Sequence, residues 1–491
     1  MEPAQPPLEA SPEPMLNVTG AGDASQDEGS SRLGRALLGA ALLLGLLRFV
    51  RLGEWSLWSD EVLTWGDSHY SPGGLLNRAG YWLILQTVEL LGGEPTEFNL
   101  RLLPAIAGYL AIPLSFWAFR PIAGSTRAGM AAILIAVSAW ELQWSQTARF
   151  YTLVQLTSLL GAGVMIRGSL RGRWLQITSG VLLAGVGVVF HLQAGVAAAA
   201  LLAAAVMAPP SSASGAGRAG RRAALALLVP ALAASPLLYS AVSSYAAKKA
   251  VGDAVGSALH FILSSGWYVT PALGAAAVGA AIVFLRRGDP QARFVLAVVT
   301  AGGLALLCFS AVATVTAQYF FALFPFVALV ASWPVGARGL REFRGGTSAL
   351  VAVLIIPQLA GSALYLSSER GQRPRWREAV ELVSSRRQPG EAVASDPATV
   401  VEFYLGDRDP RRVREPSDTV HFDRFNPWML RKLVRSGESV WAVIRNDTLM
   451  TYDPKVRAEF RTFITKNFRL VRQFPVLVQG RDLSIDVWYH P

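Results

Sequence analysis

Long apolar runs alternate with short charged connections along most of this chain. Apolar segments occupy residues 35–50, 100–119, 127–145, 150–167, 174–190, 192–208, 223–242, 267–285, 293–312, 319–336 and 346–366, with a shorter run at 81–92. Stretches such as 174–190, 223–242 and 348–367 carry no charge at all. They are too long for core strands, whereas a helix crossing ~30 Å of hydrocarbon needs roughly 20 apolar residues. The pattern predicts a polytopic α-helical membrane protein. Arginine-rich connections lie at 120–127, 167–173, 218–222, 286–293 and 338–344. With the N-terminus inside and 81–92 lying along the surface, all of them fall on the cytoplasmic side, the positive-inside pattern. Lys248 and Lys249 are the main exception. The expectation is about eleven spans, plus or minus two, with the C-terminus outside.

The flanks read differently. Residues 1–33 are rich in Pro, Glu, Ser and Gly and predict a disordered cytoplasmic tail. A secretory signal has a short basic start, so 35–50 reads as a retained first helix. Asn17-Val18-Thr19 matches a glycosylation sequon, which in a cytoplasmic tail is a chance match. The membrane domain is expected over 34–366, with a first external loop at 51–99. Past Ser367 the charges return. There 376–386 predicts an amphipathic helix, and 392–395 and 439–444 predict strands. Val456, Phe460, Phe463, Ile464 and Phe468 give helical spacing over 454–468. Residues 470–478 and 483–489 read as two strands joined at Gln479-Gly480, a hairpin signal. These elements predict a small extracytoplasmic α/β domain over 367–491. It contains no G-x-S-x-G, P-loop or Rossmann fingerprint, so accessory binding or lid duty is expected of it.

Composition supports the membrane reading. The chain has 491 residues, 52% hydrophobic and 16% charged, with mean hydropathy +0.36. An ordinary soluble domain carries about 25% charged residues. A net charge of +11 and a pI near 10 would suit nucleic acid, but the basic residues sit in the short loops between apolar segments. The single cysteine, Cys308, lies in an apolar segment, so no internal disulfide and no Cys/His zinc spacing exists.

The predicted topology gathers Asp60, Glu61, Arg78, Arg101, Glu141, Arg149, His191 and Gln318 at external ends of spans. Asp60 and Glu61 follow the first span, flanked by Trp55 and Trp58. They read either as a solvated loop pair or as a general base and its neighbour. A carboxylate beside apolar surface has its pKa raised, which suits general-base work. Arg149, in Gln146-Thr147-Ala148-Arg149-Phe150-Tyr151, is either a snorkelling anchor or a phosphate ligand. Arg78 and Arg101 would complete a cationic site. Glu141 is an acid inside a span, a functional candidate by default. His191 sits where two apolar runs meet, and Gln318-Tyr319 at the start of another.

At these residues the chain resembles the bacterial branch of the protein O-mannosyltransferase superfamily, glycosyltransferase family 39, which includes relatives of the aminoarabinose transferase of lipid A. The resemblance rests on Trp58-Ser59-Asp60-Glu61, on Gly92-Gly93 followed by Arg101-Leu102-Leu103-Pro104, and on Ala148-Arg149-Phe150-Tyr151. His191, Gln318-Tyr319 with Pro325, Trp376-Arg377-Glu378-Ala379 and Pro389-Gly390-Glu391 fit the same pattern, so the likeness covers most of 35–405. Two stretches depart from it. Asn77-Arg78-Ala79-Gly80-Tyr81-Trp82 lacks the family's prolines, and Gln318 stands where arginine is common. The resemblance implies a GT-C fold and an inverting transfer of a sugar from a polyprenyl-phosphate carrier to an acceptor on the non-cytoplasmic side. It implies Asp60 as base, and Arg149, Arg78 and Arg101 on the lipid phosphate. Glu61 and Glu141 would support the acceptor or a divalent cation. Tyr151, His191, Gln318 and Tyr319 would be further substrate-site residues. No nucleotide-sugar site is evident. A transporter or flippase of lipid-linked sugars, a polysaccharide polymerase or ligase, and an inactive scaffold are the competing readings. A flippase would favour charges deep within spans.

Overall fold

The computed structural model describes residues 21–70, 78–211, 214–248, 257–311, 313–335, 346–406, 408–410, 419–421, 429–450 and 452–491. Helix α1 runs Ala21–Gly45 and continues as a 3-10 turn, Leu46–Phe49. The chain is therefore helical over 21–33, where composition predicts disorder. The next helices are α2 (Ser59–Tyr70), α3 (Arg78–Leu90), α4 (Glu97–Val137), α5 (Ala139–Ser145), α6 (Tyr151–Leu170), α7 (Trp174–Val186) and α8 (Gln193–Met207). They are followed by α9 (Ser214–Lys248), α10 (Ala258–Val269), α11 (Pro271–Arg287), α12 (Pro290–Phe309), α13 (Phe324–Ser332) and α14 (Gly346–Leu366).

Helix occupies each of the eleven apolar segments, but the boundaries differ in instructive ways. Residues 100–119 and 127–145 are joined in α4, which bends at Gly124 (φ 75°, ψ 168°). The second of these segments is then interrupted at Ser138, whose extended backbone ends α4 and whose hydroxyl caps α5 at the Glu141 N–H. Segment 267–285 is broken at Thr270, where α10 and α11 bend by 98°. Among the described residues, four helices are long and apolar enough to cross a membrane: Glu97–Val137, Tyr151–Leu170, Pro290–Phe309 and Ser348–Leu366. The α10–α11 pair would make a fifth, and Trp174–Val189, Gln193–Met207 and Ala317–Ser332 are shorter apolar helices. Among the described residues helix α3 runs for 13 residues, about 20 Å at ~1.5 Å per residue, against the ~30 Å of a hydrocarbon core. The connection at 338–344 and Lys249 lie outside the described residues.

The C-terminal residues contain strands. The order is α15 (Trp376–Arg386), β1 (Ala392–Asp396), α16 (Ala398–Leu405), β2 (Thr419–His421), α17 (Met429–Ser436), β3 (Val440–Arg445) and the short α18 (Asn446–Leu449). Then come α19 (Pro454–Asn467), β4 (Arg469–Phe474), β5 (Leu477–Val478), β6 (Arg481–Asp482) and β7 (Ile485–His490). Five strands form a sheet in the order β2-β1-β3-β7-β4. The pairs β1–β2 and β1–β3 are parallel, and β3–β7 and β4–β7 antiparallel. The run 470–478 splits into β4 and β5, and β5 pairs with β6 around Gln479 (φ 48°) and Gly480 (φ 81°). Two positive φ values in a row match the two-residue turn that suits strand twist.

Two apolar clusters cover the two sheet faces. On one face Trp376, Val380, Val401, Phe403, Val443 and Val487 pack with α15 and α16. That cluster continues without a break into Leu57, Val62, Trp65, Tyr81, Ile84, Ala148 and Phe150, at the ends of the helical part. On the other face Leu430, Val440, Phe460, Ile464 and Phe468 pack with α17 and α19. Buried Glu97 reinforces the seam, pairing with Arg377 (3.1 Å) and Arg408 (3.2 Å) and accepting from Tyr404 (3.0 Å).

Candidate active site

Asp60 and Glu61 occupy the first turn of α2, where acids favour the helix N-terminus. Consecutive helical residues point about 100° apart, so one turns inward and the other outward. Glu61 is fully buried and Asp60 half-buried. The Glu61 Oε1 accepts from Arg101 Nε (2.8 Å) and the Ala148 N–H (2.9 Å). Its Oε2 accepts from Arg101 Nη2 (2.9 Å), Arg373 Nε (3.2 Å) and the Trp58 N–H (3.2 Å). Burial alone would raise the Glu61 pKa, but the Arg101 and Arg373 charges and these hydrogen bonds hold it down at about 2.

This geometry corrects two expectations. The remaining N–H groups of Arg101 donate to Leu52 O (3.2 Å), Trp55 O (2.8 Å) and Ser56 O (3.0 Å). A guanidinium has five N–H donors, so none is left for a phosphate. Glu61 likewise has both oxygens facing arginine and amide donors, so it cannot share a cation with Asp60. Among the described residues no three His, Cys, Asp or Glu side chains converge as a metal site.

Asp60 is in the opposite situation. Among the described residues its carboxylate accepts no hydrogen bond, and its charge acts on Arg149. Arg149 lies in the turn between α5 and α6 and donates from Nη1 to Thr64 Oγ1 (3.1 Å) and Asp60 O (3.4 Å). Burial would lower its pKa, yet Asp60 and the Tyr151 hydroxyl, to which it hydrogen-bonds, raise it. Arg149 is thus a fixed cation. Next to it runs a series of ring contacts: Tyr151 to His191 (5.5 Å between centroids), then His191 to Tyr319 (5.4 Å, stacked). The His191 Nδ1 accepts from the Gln193 N–H (3.3 Å), which puts the proton of the neutral ring on Nε2. Burial, and then the Arg149 charge, push its pKa down to about 3, so the ring is neutral.

The other predicted residues are placed as follows. Arg78 is exposed at the start of α3, two residues before Gly80, where a Cβ would come within 2.5 Å of the Phe150 ring. Asn77 lies outside the described residues. Gln318 is half-buried beside Tyr319 in the 3-10 turn Ala317–Leu323. Glu141 is not in this cluster. It is fully buried against Arg48 (3.9 Å) and accepts from Gln155 Nε2 (2.6 Å).

Sequence reasoning missed Arg373, which is 2% exposed and also donates to Thr147 Oγ1 (2.6 Å). It is delivered by a left-handed turn, Arg370 (φ 48°), Gly371 (φ 62°) and Gln372 (φ 54°). The signal available was a glycine among arginines just past the last apolar segment. Thr64 and Gln155 were also missed, since nothing in sequence marks a polar residue that faces one partner.

No family model matches the chain, and no curated protein matches its sequence. Solved structures do match. ArnT from Cupriavidus metallidurans in the apo state aligns with TM-score 0.55 at 13% identity, over 92% of this chain and 97% of that one. The same protein bound to undecaprenyl phosphate aligns with TM-score 0.51 at 14% identity, over the same shares. The apo oligosaccharyltransferase from Archaeoglobus fulgidus aligns with TM-score 0.54 at 12% identity, over 85% of this chain and 70% of that one. The chain thus has the GT-C fold of membrane glycosyltransferases.

Proposed function

We propose that the chain is a membrane glycosyltransferase that moves a sugar from a polyprenyl-phosphate donor to an acceptor hydroxyl outside the cytoplasm, with inversion. The observation that carries this reading is the Asp60–Arg149 pair: a half-buried carboxylate whose charge acts on a fixed cation. Asp60 takes the proton of the acceptor hydroxyl. The oxygen attacks the anomeric carbon as its bond to the phosphate oxygen breaks, and Arg149 stabilises the charge on the departing lipid phosphate. Arg78, at the start of α3, is the second phosphate ligand in this reading. Tyr151, His191, Gln318 and Tyr319 line the donor side, with the His191 Nε2–H as a donor to a sugar or phosphate oxygen. Glu61 and Arg101 are positioning residues, and Glu141 ties α5 to Arg48. Neighbours sharing the fold support the donor class. ArnT was solved with undecaprenyl phosphate, and the archaeal oligosaccharyltransferase with a dolichol-phosphate and an inhibitory peptide.

In this reading residues 34–366 form the membrane domain of a plasma-membrane protein with about eleven crossings, and 367–491 an extracytoplasmic domain. A flippase fits less well, because Asp60, Arg149 and His191 collect at helix ends instead of mid-helix. The test is transfer from a series of undecaprenyl-phosphate sugars by the protein in lipid nanodiscs. Asp60→Asn is expected to lower turnover about 10²–10⁴-fold, and Arg149→Ala about 10²–10³-fold. A folded Asp60→Asn protein as fast as the parent would remove Asp60 as base. A parent inert toward every such donor would remove the transferase reading.

A further inference from the structure

The first residue of α8 is a polar side chain that the transfer reaction described above leaves unused. Gln193 is 4% exposed, and among the described residues neither its Oε1 nor its Nε2 has a hydrogen-bond partner. Its backbone N–H donates to His191 Nδ1 (3.3 Å), so the amide side chain branches from the residue that orients the imidazole. Thr316 repeats the pattern on the segment that packs against α8. It stands at the N-cap of the 3-10 turn Ala317–Leu323, where a threonine hydroxyl usually caps. Its side chain caps nothing, and its buried Oγ1 has no partner among the described residues. The two segments are held together at two levels. His191 stacks on Tyr319 (5.4 Å between centroids), whose N–H donates to Thr316 O (3.0 Å). Val196, one turn on from Gln193, packs with Tyr319 on the cluster of Phe261, Leu306 and Val315.

Buried groups of this kind destabilise a fold unless something hydrogen-bonds to them, because each has given up its bonds to water. Here they sit on two packed segments, next to a ring proposed to face the donor. We infer that Gln193 is a specificity-determining residue that reads two adjacent hydroxyls of a neutral donor sugar, with Thr316 reading a neighbouring one. The inference rests on the transferase reading and names the substrate class of the same site. An amide offers an acceptor and two donors side by side. Its Oε1 accepts from one hydroxyl, and its Nε2 donates to the oxygen of the next. The class of sugar follows from charge. Gln193 and Thr316 are uncharged, and the His191 ring is neutral. Arg149 is engaged by the lipid phosphate in the proposed reaction, and Glu141 is set against Arg48 (3.9 Å). A uronate or ammonium group placed at Gln193 would therefore be buried without a counter-charge, which is strongly unfavourable.

The experiment uses the full chain in lipid nanodiscs, with undecaprenyl-phosphate mannose, glucose, galactose and arabinose as donors. The best of them is then compared with its monodeoxy analogues and with its uronic-acid and amino-sugar counterparts. In the parent, two adjacent deoxy positions are each expected to lower kcat/KM about tenfold to a hundredfold, because the site's polar groups are left unpaired. Gln193→Met keeps the shape and removes both polar atoms. It is expected to keep or raise the melting temperature, since a buried amide without partners is replaced by an apolar group. It should transfer the full sugar about tenfold to a hundredfold more slowly and bring those two deoxy penalties to within about twofold. Thr316→Val is expected to flatten the penalty at one further position only, a second reading of the site if Gln193→Met does not fold. Deoxy penalties in the variants equal to the parent's, a uniform loss across all donors, or a preference for the uronic or amino sugar would each overturn the proposal. An active parent with unresponsive penalties removes this inference alone, whereas a parent inert toward every donor removes the transferase reading and this inference with it.

Discussion

The two neighbouring carboxylates of α2 do different work because consecutive helical positions point about 100° apart, which buries one and leaves the other half-exposed. Glu61 is the buried counter-charge of two arginines that reach it from 40 and 312 residues away in sequence. Its contacts fix the Ala148 N–H next to Arg149 and the backbone next to Asp60, so it sets the spacing of the pair proposed to act on substrate. Glu61→Gln leaves Arg101 and Arg373 buried beside a neutral group. Breaking such a pair costs about 3–5 kcal/mol, and the melting temperature in detergent should fall accordingly. The pH dependence has a definite sign. The folded Glu61 pKa is depressed from 4.5 to about 2, so its stabilisation is complete above 4.5 and lost as pH falls toward 2. The parent should lose stability across that window, and Glu61→Gln should lack that part of the loss. An identical acid limb in both proteins would show that Glu61 is not the group responsible. Asp60, Arg149 and His191 were read at span ends because polar residues there stand out against apolar runs, whereas Tyr151 and Tyr319 entered through the family resemblance. The inward turn of Glu61 was not, because its cause lies in partners far along the chain.

At the scale of elements, the site depends on breaks more than on regular helix. Ser138 ends α4 and starts α5, and the turn after α5 presents Arg149. Sequence hydropathy reads straight through Ser138, since the residues on both sides are apolar and one serine costs a window little. By contrast, Gln479-Gly480 was legible as a turn, because side-chain chemistry there dictates backbone geometry. The left-handed turn at Gly371 offers a clean test. Its φ is 62°, and a Cβ would collide with the Trp55 ring. Gly371→Ala should therefore pay for both backbone strain and displaced packing, roughly 2–4 kcal/mol by these two effects, and should pull Arg373 from Glu61. Gly390 is the control: its φ is 89° with open space around it. Gly390→Ala should cost only the backbone part, about 1 kcal/mol. Equal losses of melting temperature in the two variants would mean that the Trp55 contact contributes nothing.

At the scale of the molecule, the open question of orientation reduces to one short helix. If α3 crosses the membrane, every later connection changes side and the arginine-rich loops face outward; if it lies along the surface, they stay inside. Its 13 residues and its packing of Tyr81, Ile84 and Val88 into the seam favour the surface. Composition alone left this open because an amphipathic surface helix and a short span have similar hydropathy. Single-cysteine labelling settles it, and the chain suits the method, since Cys308 is its one native cysteine. In a Cys308→Ser background, cysteines replace Glu54 before α3, Glu94 after it, Arg171 between α6 and α7, and Ser385 in α15, all exposed positions. A membrane-impermeant maleimide on intact cells is expected to label the first two and Ser385→Cys. It should label Arg171→Cys only after permeabilisation. Opposite accessibility at 54 and 94 would make α3 a span, and labelling of Arg171→Cys in intact cells would invert the membrane domain. The first result would put Arg149 on the opposite side from Asp60, and the second would put both on the side away from the acceptor they are proposed to meet, so the topology and the chemistry stand on the same four positions.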